Sequence, residues 1–353
     1  DKIQTVGNQD KHLKLLLKRP SQAVQGIGFN LGNMKPILEH APIIDVAFNL
    51  EVNRWRDIEQ LQLNIKDIKL PYLEDELMQK LEHYYYKKFF TNLSKDSNWS
   101  LLCLDQLKST NRYVAFRNQG SLEKNDLIKE YLLQNHNLLI IVNTPYQAWH
   151  LLNCIKENEE IKSQIGIFYS MEEAEKTDKK NAIIINPCLL SEPHRYEEII
   201  FYDTPFNEHI FKEQNYCFRN FTRHILFEKK DLTFNHIVCQ KILPDIDGIR
   251  IVYKVVEKIT SGRFLGKVKI KDLNQFVKNY FDIELHFVGF VNTFKIFKEL
   301  GIIDFYIDQG VINITAYNTP KYKLNLEDSL TYRNIIALKR NLRKFERMFI
   351  NVY

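Results

Sequence analysis

The sequence contains no apolar segment long enough to cross a membrane as a helix. Its longest apolar runs, residues 138–142 and 182–185, are far shorter than the roughly 20 residues that a transmembrane helix needs. No basic and apolar leader precedes the first predicted strand at residues 3–6. We therefore expect a globular protein without a membrane span, and we expect that the sequence begins inside a longer chain.

Cysteine pairs are also missing. The five cysteines lie far apart, their number is odd, and no two of them form a CxxC pair. Such spacing favours reduced, mostly buried thiols over a disulfide framework or a zinc site. We accordingly expect a cytoplasmic protein.

The sequence lacks a complete phosphate-binding motif. Gly26, Gly28 and Gly32 follow a GxGxxxG spacing, which differs from the dinucleotide fingerprint, and no long βαβ unit follows them. Residues 262–268 are one residue short of a P-loop and lack its hydroxyl side chain. Residues 144–147, Thr-Pro-Tyr-Gln, are interpreted as a capping box that starts a helix.

One pair of carboxylates has the form of a metal-binding element. Asp245 and Asp247 stand in an Asp-Ile-Asp-Gly segment, and paired carboxylates are the ligands that two divalent cations require. Pro244 and a helical pattern flank the segment, and the chain has no adjacent histidines. We therefore interpret the segment as the acidic start of a helix, and we predict no metal site and no catalytic residue in this chain.

Neither sign of charge is in large excess, because 49 Lys and Arg face 44 Asp and Glu, for a net charge of +5. The bulk charge alone does not indicate a nucleic-acid partner. Basic residues are nevertheless concentrated near the C-terminus. Within residues 321–347 they are Lys321, Lys323, Arg333, Lys339, Arg340, Arg343, Lys344 and Arg347.

The apolar pattern divides the chain into four predicted regions. Residues 1–70 show short strands separated by turn signals, with one short helix at residues 33–39, as in a small Greek-key barrel. Residues 71–121 form a helical linker. Residues 122–260 alternate helices with apolar strands, which predicts a parallel sheet covered by helices. The fourth region, residues 261–353, is predicted to be a helical, winged-helix-like unit.

This fourth region has predicted strands at residues 268–270 and 311–314, and it ends in a long helix at about 326–350. One stripe of that helix is apolar and comprises Ile335, Leu338, Leu342, Phe345 and Phe349. The opposite stripe is basic and comprises Arg333, Arg340, Lys344 and Arg347. We predict that the basic stripe contacts DNA or an acidic partner protein. A solvated basic face is the alternative.

Several segments of the first region resemble, in order and spacing, the oligonucleotide-binding (OB) barrel of RecJ-type exonucleases. They are residues 6–15, 23–29, 45–50, Trp55, 61–63 and 65–68. The resemblance is strong over residues 1–70 and continues more weakly to residues 323–329. The expected fold is therefore multidomain: a small OB-like barrel, then an α/β parallel-sheet domain, then the winged-helix-like unit.

The resemblance implies a parent protein that hydrolyses single-stranded DNA from 5′ to 3′ in DNA repair and recombination. It places Mg²⁺ or Mn²⁺ in catalytic domains that this sequence does not contain, because the Asp-His-His triplet of the family is missing here. This chain would be a non-catalytic part without a cofactor, inactive as a nuclease when alone. Implied partners are single-stranded DNA, the catalytic domains of the same parent chain and the acidic C-terminal tail of the single-strand-binding protein.

A barrel of this kind binds single strands by placing cations along the phosphates and aromatic faces under the bases. The predicted DNA-binding residues are His12, Lys14, Lys18, Arg19, Lys35, Arg54, Trp55 and Arg56. For each of them, a solvated strand face or a place in the core is an equally good interpretation.

Two other functions stay open. The alternating pattern at residues 122–205 is compatible with a nucleotide-binding α/β domain, although the sequence offers it no phosphate loop. The whole chain could also be a protein-interaction module without DNA binding. Salt-dependent binding to single strands distinguishes the barrel interpretation from that module.

Overall fold

A computed structural model of the chain divides into two compact units, Asp1–Lys80 and Leu81–Tyr353. The structure describes residues 2–19, 22–38, 44–55, 58–69, 75–89, 124–133, 137–188, 191–228, 231–260, 264–281, 285–317 and 324–352. Most of the predicted linker, residues 71–121, lies outside these ranges, and the division into four regions stays a prediction. Among the described residues, no helix is both long and apolar enough to span a bilayer.

The first unit is built on one five-stranded sheet. Its strands are β1 (Lys2–Val6), β2 (His12–Arg19), β3 (Gln22–Gly28), β4 (Asp45–Trp55) and β5 (Ile58–Lys69). Their order is β1-β2-β3-β5-β4, in which β3 and β5 run parallel and the other neighbours run antiparallel. A short helix, α1 (Lys35–Leu38), lies between β3 and β4. The predicted succession of strands, short helix and strands is confirmed.

The core of this unit lies on one face of the sheet. Leu13 and Leu15 of β2 are buried, as are Leu63 and Ile65 of β5, because alternate residues of a strand point to the same face. A side chain at Gly26 of β3 would approach the Cδ1 atom of Ile65 to 2.7 Å. Close packing between β3 and β5 therefore explains this glycine, and no nucleotide-binding role is needed.

The second unit begins with a parallel sheet. Its strands are β6 (Leu138–Val142), β7 (Ile165–Phe168), β8 (Asn181–Ile185), β9 (Glu198–Phe201) and β10 (Thr222–Ile225), in the order β10-β9-β6-β8-β7. The two central apolar runs, β6 and β8, are buried along their whole length, as expected for strands covered on both faces. The predicted parallel sheet is confirmed. The edge strand β10 was not predicted, because its sequence Thr-Arg-His-Ile is mostly polar.

Helices precede, connect and follow these strands, and the first of them crosses the boundary between the two units. They are α2 (Glu76–Phe89), α3 (Lys124–Leu133), α4 (Pro145–Ile155), α5 (Glu159–Gln164), α6 (Met171–Glu175), α7 (Glu208–Cys217) and α8 (Asp231–Ile242). Thr144 caps α4 by accepting a hydrogen bond from the backbone N–H of Gln147, as predicted. The side-chain amide of Gln147 donates a hydrogen bond to Asp231, and the second half of the capping-box interpretation stays a prediction.

The rest of the unit carries a three-stranded antiparallel sheet. Its elements are α9 (Ile246–Thr260), β11 (Leu265–Lys269), α10 (Ile270–Phe281), α11 (Phe287–Glu299), β12 (Ile303–Asp308), β13 (Val311–Ala316) and α12 (Leu330–Val352). The strand order is β11-β13-β12. Strand β12 was not predicted. Gly301 ends α11 as predicted, with a positive φ of 71° and hydrogen bonds from Gly301 N to Lys298 O and from Ile302 N to Phe297 O.

The terminal helix α12 has two distinct faces. Ile335, Leu338, Leu342 and Phe345 are buried, whereas Arg333, Arg340, Lys344 and Arg347 are exposed. The side chain of Phe349 lies outside the described part. The apolar stripe anchors the helix, with Lys339 donating a hydrogen bond to the backbone oxygen of Leu243 at 2.8 Å.

Truncation of one residue on each face should separate packing from surface charge. We expect Leu338→Ala to lower the free energy of unfolding by about 2–5 kcal/mol, because it removes a fully buried side chain and leaves a cavity. Arg333→Ala on the exposed face of the same helix should change it by less than about 0.5 kcal/mol. Denaturant titration of both variants measures the difference, and equal losses would contradict the assignment of the two faces.

Candidate nucleic-acid interface

The face of the first sheet opposite its core carries the polar residues of β2. Because Leu13 and Leu15 point into the core, the alternating residues His12, Lys14 and Lys18 lie on the other face. Lys18 is exposed, and His12 and Lys14 are half-buried. The structure therefore brings three of the predicted DNA-binding residues onto one strand face.

A shallow depression surrounds Lys14. Its volume is about 130 Å³, and it is lined by Lys2, Gln4, Lys14, Leu15, Leu16 and Gln25. Lys2 lines the depression because β1 pairs with β2 in a register that places Gln4 opposite Lys14 and Lys2 opposite Leu16. The prediction from sequence missed Lys2. The strand pairing across the tight turn at residues 7–11 is the signal that could have found it.

An aromatic pair borders the start of β2. The ring of His12 meets the ring of Phe29 edge-on, with 5.2 Å between the ring centroids. The Nδ1 atom of His12 accepts a hydrogen bond from the backbone N–H of Asn30 at 3.1 Å, which holds the imidazole in place. Phe29 is 52% exposed, so its ring offers the flat apolar surface on which a base can stack.

Neutral and acidic residues also lie on this face, away from β1 and β2. Across the sheet, Gln62 of β5 lies opposite Gln25 of β3 and also opposite Glu51 of β4. Glu51 accepts a hydrogen bond from the Asn64 amide at 2.7 Å. The outer face thus carries neutral and acidic residues towards β4, whereas Lys2 and Lys14 favour phosphates at the β1–β2 end.

The other five predicted DNA-binding residues are Arg19, Lys35, Arg54, Trp55 and Arg56. Lys35 is half-buried at the first position of α1. Arg54 and Trp55 end β4, and Arg19 ends β2, but their side chains lie outside the described part. Arg56 lies outside it altogether. DNA contacts by all eight residues stay predictions, as do contacts by the basic stripe of α12.

The carboxyl edge of the parallel sheet is the place where a nucleotide would bind an α/β domain. Strands β7 and β8 lie on one side of β6, and β9 and β10 lie on the other, so the crevice falls between β6 and β9. Asn143 follows β6 and Asp203 follows β9. The backbone N–H of Asn143 donates to Asp203 Oδ1 at 2.7 Å, and its side-chain amide donates to the same atom at 3.0 Å.

A buried ion pair lies at the same carboxyl edge of the parallel sheet. The Nζ atom of Lys124 donates to the two carboxylate oxygens of Asp231 at 3.1 and 3.2 Å, and it lies 4.1 Å from the centre of the Tyr202 ring. Asp231 also accepts from the Gln147 amide at 2.6 Å. Because side chains of the chain itself occupy this edge, its geometry gives little support to the nucleotide-binding alternative.

The burial of Asp203 changes its protonation. Loss of hydration and the nearby charge of Asp231 raise the pKa of Asp203 to about 8, although Lys124 opposes the shift. Its Oδ2 atom has no hydrogen-bond partner among the described residues. The neutral acid is therefore the form that suits this position.

Asp245 behaves as a helix cap, which agrees with the interpretation from sequence. Its Oδ1 atom accepts a hydrogen bond from the backbone N–H of Gly248 at 2.8 Å at the start of α9. Asp247 instead forms an exposed ion pair with Arg250 at 2.7 Å. Within the described ranges, no group of three or more His, Cys, Asp and Glu side chains could hold a metal ion.

The buried Asp203 should make stability depend on pH. Its pKa is about 3.9 in an unfolded chain and about 8 in the folded one, so the folded state binds the proton more tightly. The free energy of unfolding contributed by this group therefore falls as the pH rises from about 4 to about 8. Asp203→Asn mimics the neutral acid and should remove this fall, whereas Asp126→Asn at an exposed position should keep it. Thermal melts across this range measure the effect, and equal slopes for all three proteins would refute it.

One comparison with known proteins concerns the first unit. Residues 1–67 match the family model described as the RecJ OB domain, and these residues contain β1 to β4, α1 and nearly all of β5. No curated protein matches the chain in sequence. The matched segment includes the outer face with Lys2 and Lys14. The N-terminal part of this chain is therefore an OB domain of the RecJ type, which suggests a role in binding nucleic acid.

Proposed function

We propose that the chain is the non-catalytic, single-stranded-DNA-binding and partner-docking part of a RecJ-type 5′–3′ exonuclease that acts in DNA repair and recombination. The observation that carries this proposal is the RecJ-type OB match over residues that form a cationic outer sheet face. The hydrolysis itself belongs, in this proposal, to catalytic domains of the parent chain that hold Mg²⁺ or Mn²⁺. This chain would hold the strand and have no nuclease activity alone.

Lys2 and Lys14 have the chemistry that a DNA backbone requires. Both line the depression on the outer face, and an exposed ammonium group that meets a phosphate releases condensed counterions. Phe29 lies beside the first residue of β2 and can stack a base. A duplex hides its bases inside the helix, so a surface that combines stacking with phosphate contacts favours single strands.

A second docking surface is proposed near the C-terminus for the acidic tail of the single-strand-binding protein. Such a tail requires an apolar pocket with cations at its rim. A groove of about 660 Å³ between α9 and the start of α12 is lined by apolar and aromatic residues, by the cations Arg250 and Lys254, and by the carboxylates Glu257 and Glu327. Further along α12, the exposed stripe with Arg340 and Lys344 carries more cations.

The C-terminal part of the second unit is proposed to be a winged-helix-like module. Its order of helix, strand, two helices and a β-hairpin supports this proposal, as does the strand order β11-β13-β12. Such modules often insert their third helix into the major groove of DNA. Here that helix is α11, whose residues Val288, Phe290 and Phe294 are buried. The proposed module would therefore not read duplex DNA with α11.

Charge reversal at the outer face tests the DNA-binding proposal. We expect Lys2→Glu with Lys14→Glu to weaken binding of a labelled single-stranded oligonucleotide by at least about tenfold, since two phosphate contacts are lost and repulsion is added. The slope of the logarithm of the binding constant against the logarithm of salt should fall by about 1.4. Fluorescence anisotropy at several salt concentrations measures both. Lys162→Glu, at an exposed position of the second unit, is the control. An unchanged affinity in the double variant would contradict the proposal.

Charge reversal on α12 separates the possible roles of the basic stripe. We expect Arg340→Glu with Lys344→Glu to weaken binding of an acidic tail peptide with an apolar last residue, while oligonucleotide affinity stays within about twofold. Titration calorimetry with the peptide and anisotropy with the oligonucleotide measure the two affinities. A loss of DNA affinity with a shallower salt slope would show that the stripe binds DNA instead. No change in the peptide affinity or in the DNA affinity would show that the stripe binds neither ligand.

A further inference from the structure

The three-stranded sheet of the second unit has one covered face and one open face. Ile303, Ile312 and Ile314 point to the covered face and are buried. The open face carries the alternate residues of each strand. They are Leu265, Lys267 and Lys269 of β11, Val311, Asn313 and Thr315 of β13, and Asp304, Tyr306 and Asp308 of β12.

Cations and an aromatic ring are aligned across this open face. Asn313 on the central strand lies opposite Lys267 on one side and opposite Tyr306 on the other. Adjacent strands are about 4.8 Å apart, so the backbones of Lys267 and Tyr306 are separated by about 10 Å. Lys267 is exposed and Tyr306 is 63% exposed. A phosphate at Lys267 and a base on the ring of Tyr306 can therefore be held side by side.

The charged residues are distributed unevenly across the open face. Lys267 and Lys269 stand two residues apart on β11 and are both exposed. The acidic residues stand on β12, at the other side of the sheet, where Asp304 forms an ion pair with Lys298 at 2.5 Å. A polyanion is thus attracted along β11, while uncharged bases are directed towards β13 and Tyr306.

The neighbouring helix α11 does not offer a competing surface to nucleic acid. Val288, Phe290 and Phe294 are buried, and the amide of Asn292 donates a hydrogen bond to the backbone oxygen of Ile242 at 2.7 Å. A helix held in this way cannot enter a groove of a duplex. Helix α11 is therefore excluded, and the open sheet face combines exposed cations with an exposed ring.

We propose that the open face of the β11-β13-β12 sheet is a second binding surface for single-stranded nucleic acid, with Lys267 and Lys269 on the phosphates and Tyr306 under a base. This surface uses residues distinct from those of the OB domain. The combination of a flat aromatic ring with adjacent cations on a strand is the chemistry that binds single strands without sequence preference.

A set of matched variants of the full chain tests this surface. Lys267→Glu with Tyr306→Ala should weaken single-strand binding at least about fivefold, because a stacked base and a phosphate contact are lost. The salt slope should fall by about 0.7. Tyr306→Phe keeps the ring and should stay within about twofold of the wild type. Lys162→Glu with Tyr216→Ala changes a lysine and a 64%-exposed tyrosine elsewhere in the unit and should have no effect.

The outcomes also distinguish this surface from the OB face. If the sheet variant binds like the wild type and melts at the same temperature, the proposal for the sheet is overturned, whatever the Lys2 and Lys14 variants do. If the sheet variant loses affinity while the Lys2 and Lys14 variant does not, the sheet surface stands and the OB face fails. Retained DNA affinity together with lost binding of an acidic peptide would also overturn it, since the face would then serve a protein.

Discussion

The alternation of side chains along β2 is the constraint on which the proposed DNA-binding face depends. Leu13 and Leu15 must enter the core, so His12, Lys14 and Lys18 are placed together on the opposite face. A shift of β2 by one residue against both of its neighbours, β1 and β3, would turn the leucines outward and the lysines into the core. The burial of two leucines, worth about 1.5–3 kcal/mol each, therefore also fixes the position of the cations.

A buried polar cluster is the corresponding feature of the second unit. Lys124 and Asp231 form a buried ion pair beside Asp203 and Asn143, at the edge where α/β sheets commonly bind ligands. Removing one partner of such a pair leaves a buried charge without compensation, which costs about 3–5 kcal/mol. The edge is thereby occupied by the chain itself, which favours an accessory role for this unit over a nucleotide-binding one.

Much of the fold follows from local sequence patterns. The alternating strands of the first sheet and the apolar runs of β6 and β8 were predictable because each pattern matches the period of its element. Strands β10 and β12 were missed, since Thr222–Ile225 is largely polar and Ile303–Asp308 contains two aspartates. Lys2 was missed because its neighbours depend on strand register, and the pair of Lys124 and Asp231 was missed because 107 residues separate them.

In the proposed function, single-stranded DNA runs over the outer face of the OB domain. Photo-crosslinking of the full chain to an oligonucleotide with 5-bromouracil at successive positions, followed by mass spectrometry of the peptides, tests this claim most directly. We expect crosslinks in peptides that contain β1, β2 and Phe29, with competition by unlabelled single strands and little competition by duplex. Crosslinks that spare residues 2–29, or that duplex DNA removes equally well, would contradict it.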